Sequence, residues 1–466
     1  MKINPFVIEF WFTTIIFYDK LKLQTKKEGL INMINLERAA EKRIKRANTE
    51  WWINERAVVG DNGLTYIVYM NDMGEIHIKE LDAKCSKTQS RDFRLAKLNF
   101  NYADEHNAAS ICILESGRIV VAYTGHACGG KLTLRATERP YDIFSFGAPQ
   151  TIDYGEDVSY AQLSENTERG ELWLFTRVHQ VNWEFVCSKD EGKTWSRPQR
   201  FIHSNDGGLF YFNIHKMYMS SSDKSYTEQW FFALYGHPKT SRDHTIRSGI
   251  ITSNGDIMKT DGKTSLGVNI FNAQSYMNLD ELDIVYKAPA GMTVRLLENS
   301  STLPLRVGFA PFVMNDPTTP TYYSATYRNG EWIVSEPICK ANEFLTSGMN
   351  DGSQTYLGGM AYYYGVGEAG LHPCDPAPTC TNRIYIARFD GESRVVESYL
   401  STDMGKSYFL EQTLRKIPAS LGIKTWRPIV PVHAQDNMPL YWHEGSYTAH
   451  TGGWHSDAVM LVEYDD

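Results

Sequence analysis

From Trp51 onward, apolar and polar positions alternate in short runs bounded by turn residues, the period-two pattern of half-buried strands. Leu64–Met70 and Glu75–Lys79 flank Asn71-Asp72-Met73-Gly74, and Ser110–Leu114 and Ile119–Tyr123 flank Glu115-Ser116-Gly117-Arg118. Each set predicts a hairpin, because Gly and Asn reach the backbone angles that a tight reversal needs. Further strands are predicted at Glu171–Thr176, Trp183–Ser188, Trp230–Leu234, Arg247–Thr252, Tyr322–Tyr327 and Arg383–Phe389. The pattern contains no long amphipathic helix after residue 50. Residues 1–48 read differently. Phe6–Phe17 is apolar apart from Glu9 and too short to span a bilayer as a helix, and Lys20–Lys45 is basic and helix-prone. These residues are expected to form a leader or packing arm outside the main fold, with residues 49–466 as one catalytic domain and no membrane span.

One turn pattern recurs. Ser188-Lys189-Asp190-Glu191-Gly192-Lys193-Thr194-Trp195 fits S-x-D-x-G-x-T-W, the Asp box, and Ser401-Thr402-Asp403-Met404-Gly405-Lys406-Ser407-Tyr408 is a close variant. In such a turn Asp caps backbone N–H groups, Gly takes a positive φ and the aromatic packs beneath. Tyr327–Trp332 is a weaker echo. These turns mark outer hairpins of propeller blades, in which each four-stranded sheet buries its faces on its neighbours. About 415 residues at roughly 45 to 60 per blade allow seven or eight blades. The expected fold is all-β, a seven-bladed β-propeller.

Composition narrows the partners. A formal net charge of −8 gives no long-range attraction for nucleic acid. It leaves room for a local basic cleft that takes an acidic sugar. Seven cysteines among 466 residues make no disulfide framework. His372, Cys374 and Cys380 form H-x-C-x5-C in a Pro-rich loop, where a structural zinc, a disulfide and two free thiols remain open readings.

Candidate chemistry gathers at strand ends. Asp104-Glu105-His106-Asn107 precedes one predicted hairpin and Tyr123-Thr124-Gly125-His126 ends its second strand, so both histidines reach one end of the sheet. Ser159-Tyr160-Ala161-Gln162 and Leu174-Phe175-Thr176-Arg177 follow. Asn213, His215, Lys216 and Tyr218, then Tyr235-Gly236-His237-Pro238-Lys239, come after the Asp box, and Trp426-Arg427-Pro428 with His433 forms a last rim-like segment. Taken singly, each residue also fits a core or capping role.

In this order, D-E-H-N, Y-T-G-H, S-Y-x-Q, L-F-T-R, the Asp box and Y-G-H-P resemble a family of seven-bladed propellers that contains ulvan lyases and related rhamnose–glucuronate lyases and hydrolases. The resemblance spans about residues 50–455 and is strongest from Asp104 to Lys239. It implies β-elimination at a uronic acid, which needs a carboxylate neutraliser, a base for the C5 proton and an acid for the O4 leaving group. On this reading Arg177 neutralises the carboxylate, Asn107 adds a hydrogen bond, and Tyr160, His126 and His106 are the candidates for proton transfer. Tyr218 and His237 line sugar subsites. The segment between His126 and Tyr160 is short for an ulvan lyase, and Ala161 stands where relatives often carry Pro. The resemblance further implies an acidic polysaccharide substrate; no cofactor for the chemistry, a monomer and a secreted or periplasmic location are the accompanying expectations. A rhamnosidase-type hydrolase on the same fold and a non-catalytic carbohydrate-binding propeller are the alternatives. A sialidase is disfavoured because no Arg-Ile-Pro segment stands near the start.

Overall fold

The strands expected from the alternation form seven mainly antiparallel sheets arranged as a seven-bladed propeller. The computed structural model describes residues 39–49, 55–82, 90–98, 104–107, 109–126, 129–204, 207–220, 226–241, 243–272, 274–300, 303–346, 355–363, 382–434, 440–449 and 452–463. The loop with His372, Cys374 and Cys380 lies outside the described residues. Among these residues, helix is confined to the 3-10 turns Leu279–Glu281 and Ala419–Leu421, and no helix is long and apolar enough to cross a membrane.

The first blade is Ala57–Val59, Leu64–Asn71, Glu75–Asp82 and Arg91–Lys97, and the second is Ala109–Ile113, Ile119–Tyr123, Lys131–Ala136 and Gln150–Asp153. The third is built on Val158–Asn166, Glu171–Val178, Asn182–Ser188 and Gln199–His203. The fourth is built on Phe210–Ser220, Tyr226–Gly236, Thr245–Thr252, Asp256–Met258 and Ser265–Asn269. Thr293–Asn299 begins the fifth blade, Met360–Tyr362 the sixth and Lys424–Ile429 the seventh. First strands of neighbouring blades meet around a central channel. The Gln162 amide, for instance, donates to Phe212 O at 2.7 Å and accepts from Ile214 N at 3.2 Å.

Ring closure uses a segment that the sequence placed outside the fold. Ala39–Ile44 pairs antiparallel with the last strand, from Ala39↔Glu463 to Ile44↔Ala458, and Ala47–Asn48 continues onto Asn71 and Met70 of the first blade. The propeller therefore takes in residues 39–48, which were expected to lie outside it. Helix-prone composition yields here to a sheet edge that offers unpaired N–H and C=O groups.

Aromatic packing between blades supplies the core. Trp173 of the third blade and Trp230 of the fourth are fully buried with ring centroids 4.3 Å apart. A buried aromatic removes about 150 Å² or more from water, on the order of 4 kcal/mol of gross transfer free energy. Central strands such as Glu171–Val178 are buried throughout, as expected for a sheet covered on both faces.

Both Asp boxes form as predicted. Asp190 Oδ1 accepts from Lys193 N at 3.0 Å and Thr194 N at 2.8 Å, Gly192 has φ +87°, and Trp195 Nε1 donates to Gly192 O at 3.2 Å. Asp403 accepts from Lys406 N at 3.0 Å and Ser407 N at 2.9 Å. These turns join third to fourth strands, at the face opposite the start of the first strands.

Candidate active site

That opposite face, where first strands begin and second strands end, collects most of the candidate residues. Asp104–Asn107 forms a turn closed by Asn107 N donating to Asp104 O at 3.0 Å, just before the first strand of the second blade. Asp104 Oδ1 lies 2.7 Å from His106 Nδ1 and Oδ2 lies 3.2 Å from His126 Nδ1. Burial alone would push the Asp104 carboxyl up, but the two histidines hold it well below the usual carboxylate range. An ionised carboxylate only accepts, so both imidazoles donate from Nδ1. His106 Nε2 lies 3.1 Å from Tyr356 OH, within hydrogen-bond distance. With Nδ1 turned to Asp104, His126 presents Nε2 on the other side of its ring and is 26% exposed, while His106 is buried. The two rings stack with centroids 4.5 Å apart.

Tyr160 sits beside this pair, 5.7 Å from the His126 ring and 6.2 Å from the His106 ring. It occupies a β-bulge between Ser159 and Gln162 with φ +60°, a conformation that costs a bulky residue energy and redirects its side chain. Arg177, at the end of the paired strand, lays its guanidinium 4.4 Å from the Tyr160 ring centre and 5.3 Å from that of Tyr211. A cation over the ring stabilises negative charge developing on the phenol oxygen. Arg177 is 3% exposed and Asn107 1%. Neither Arg177 Nη1 nor Asn107 Nδ2 has a hydrogen-bond partner among the described residues, although Asn107 Oδ1 accepts from His126 N at 2.7 Å. A buried donor without a partner costs about 1–3 kcal/mol, a cost that an anionic ligand would remove.

His237 joins the cluster through Tyr211, with ring centroids 5.9 Å apart. Its Nδ1 accepts from Lys239 N at 3.1 Å, which leaves Nε2 as the protonated nitrogen. Tyr218 does not join. It lies seven residues along the same strand from Tyr211, roughly 23 Å at the rise of an extended chain. It lines a cavity of about 360 Å³ at the other mouth of the channel, with Glu55, Glu165, Lys216 and His433. The subsite expected for Tyr218 thus falls on the wrong face, because a strand of this length crosses the whole channel.

Sequence reasoning assigned no role to Asp104, Tyr211 or Tyr356. Asp104 was within reach, since D-x-H before a strand places a carboxylate two residues from an imidazole. Tyr356 arrives from the sixth blade, 250 residues away, with no local signal. Asp104, His106 and His126 place their ligand atoms within 4.8 Å of one another, a group that could also hold a cation, but the shared carboxylate already accepts from both rings.

Known proteins share this architecture. A BNR repeat-containing family model matches residues 64–288, the first four blades. A polysaccharide lyase described as an ulvan lyase superposes with a TM-score of 0.63 at 13% identity, covering 91% of this chain and 96% of that one. The same enzyme bound to -[GlcA(1-4)Rha3S]- gives 0.62 at 12% identity, with the same coverage. The fold is that of the ulvan lyase propeller. An α-L-arabinofuranosidase from Fusarium graminearum aligns more loosely, with a TM-score of 0.40 at 9% identity over 90% of this chain and 97% of that one. No curated protein sequence matches the chain.

Proposed function

We propose that this chain is a polysaccharide lyase that cleaves a uronic-acid-containing polysaccharide, of the rhamnose–glucuronate (ulvan) class, by β-elimination. One observation carries the reading: a buried guanidinium and a buried amide, each with a donor unsatisfied among the described residues, flank a tyrosine and a histidine whose Nδ1 is held by Asp104.

Arg177 and Asn107 bind the uronate carboxylate, and neutralising its charge acidifies the C5 proton and stabilises the enolate-like intermediate. His126 Nε2 removes that proton, its other nitrogen held by ionised Asp104. The C5–H electron pair becomes the C4–C5 double bond, the C4–O4 bond breaks, and Tyr160 donates its proton to O4. The proton on His126 then restores the phenol through solvent. No cofactor enters these steps. The extracellular or periplasmic location expected for such an enzyme accompanies this reading.

A hydrolase of the two-carboxylate kind would need two carboxyl groups flanking the glycosidic bond. Among the described residues of this cluster the carboxylates are Asp104, bonded to both histidines, and Glu105, bonded to Arg427 and Tyr447. The test is ultraviolet absorbance during incubation with ulvan and with rhamnose–glucuronate glycans. A rising signal of a 4,5-unsaturated uronate is expected. Saturated sugars released without it would overturn elimination, and no product from any acidic glycan would favour a binding propeller.

A further inference from the structure

Glu105 has no part in the mechanism above, yet it lies between Asp104 and His106 and its side chain points away from them. It is 2% exposed, a costly place for a carboxylate without partners. Its partners come from the seam where the ring closes. Oε1 accepts from Arg427 Nη2 at 2.8 Å and from the Tyr447 hydroxyl, both of the seventh blade, and Oε2 accepts from Asn48 Nδ2 at 3.2 Å. Arg427 reaches back to the same segment, donating from Nη1 to Thr49 O at 2.8 Å.

Two features show that this contact is built into the backbone. Arg427 has φ +52° inside a bulge between Trp426 and Ile429, so a strained residue turns the guanidinium inward. Gly359 of the sixth blade leaves the space: a Cβ there would come within 3.3 Å of Arg427 Cα. Burial, together with the Glu105 charge, holds the Tyr447 hydroxyl well above its usual range, so it remains a donor. Tyr447 also packs edge-on against Tyr356, which bonds His106.

We infer that Glu105 is a positioning residue. Through Arg427, Tyr447 and Asn48 it ties the Asp104–Asn107 turn to the closing seam, so that ring closure sets the orientation of the histidine pair. The inference rests on the lyase reading for its kinetic test but not for its structural one. The segment that supplies Asn48 and Thr49 also supplies the closing strand, Ala39–Ile44. Loosening the seam therefore misplaces the site before the blades unfold.

The experiment uses the full chain with Glu105→Gln, which keeps the size but removes the charge and turns one of two accepting oxygens into a donor. As a control, Glu397→Gln breaks a pair between a buried carboxylate and the half-buried Arg388, at 2.8 Å, in the sixth blade. Glu105→Gln is expected to lower kcat about 10- to 100-fold while KM stays within about 3-fold, the signature of a displaced proton-transfer group. The control is expected to lower Tm while kcat below the transition stays at the wild-type value. Imidazole nitrogen NMR supplies a readout free of activity: Glu105→Gln should shift the His106 and His126 signals, and Glu397→Gln should not. If Glu105→Gln does not fold, Tyr447→Phe removes one bond to the same carboxylate and should shift the same signals, with a smaller loss of kcat. Should wild-type protein turn over no acidic glycan, the lyase reading falls and the imidazole signals alone decide. Unchanged signals and kcat in Glu105→Gln would overturn the inference.

Discussion

The two mouths of the channel are lined by similar residue types and differ in how their charges are paired. At the upper mouth the Asp104 carboxylate is held by two histidines, and the unsatisfied donors belong to Arg177 and Asn107. At the lower mouth Glu55 has Lys216 as its charged neighbour and is pushed up to about 7, chiefly by burial. Burial likewise raises the Glu165 carboxyl, against one hydrogen bond from Glu115 N at 2.8 Å. On the lyase reading the upper mouth offers an anion donors already in place, whereas burial at the lower mouth raises its two carboxyls. A concentration of titratable groups therefore says less about chemistry than the sign of what is left unpaired.

Arg177→Ala tests the contrast most severely. Turnover of the acidic glycan should fall by about 10³-fold or more, because this guanidinium is the cation held over the Tyr160 ring. Arg177→Lys should recover little, since an ammonium cannot reproduce the planar, bidentate contact. Steady-state rates of 4,5-unsaturated product decide it: wild-type kcat in Arg177→Ala would remove Arg177 from the mechanism, and wild-type kcat in Arg177→Lys would show that charge alone suffices. His126→Gln should cost about 10²- to 10³-fold with the fold intact, checked by kcat alongside Tm. A variant with normal kcat would transfer the base role away from His126.

Much of the upper mouth was legible because its residues sit on local punctuation. Asp104–Asn107 and His126 bracket one hairpin, and Tyr160 and Arg177 bracket the next, so strand alternation alone aligned their ends. The Asp boxes announced the blade type through a turn whose chemistry is contained in eight residues. The remainder was set by distant pairing. Tyr356, Arg427 and Tyr447 meet the Asp104–Asn107 turn across hundreds of residues, and Ala39–Ile44 became a strand because an edge awaited it. Tyr218 was placed on the wrong face since sequence marks where a strand begins more clearly than how far it runs.

The lower mouth offers a test of its own. Glu55 has a folded pKa above the ordinary carboxylate range, so between about pH 4.5 and 7 the folded protein keeps a proton that the unfolded chain releases. Stability therefore declines as pH rises through that window. Glu55→Gln removes this linkage, because its amide does not ionise. Its Tm should match wild type near pH 5 and exceed it by on the order of 1–3 °C at pH 8. Parallel Tm curves across that range would place Glu55 in water, not in a burying cavity.

The smallest effect is expected from Tyr218→Phe. Tyr218 lies about 23 Å along its strand from Tyr211 and has the Lys216 ammonium 5.2 Å from its ring centre, a contact that phenylalanine largely preserves. Removing the hydroxyl should leave kcat and KM on the acidic glycan within about 2-fold. Buried side chains of the middle layer separate it from the upper site: Glu298 accepts there from His215 Nε2 at 3.1 Å and lies 3.8 Å from Arg56 Nη2. If KM instead rose by about 10-fold or more, substrate would have to reach the lower mouth. The two mouths would then form one binding channel, and the contrast between them would reflect subsites of one ligand.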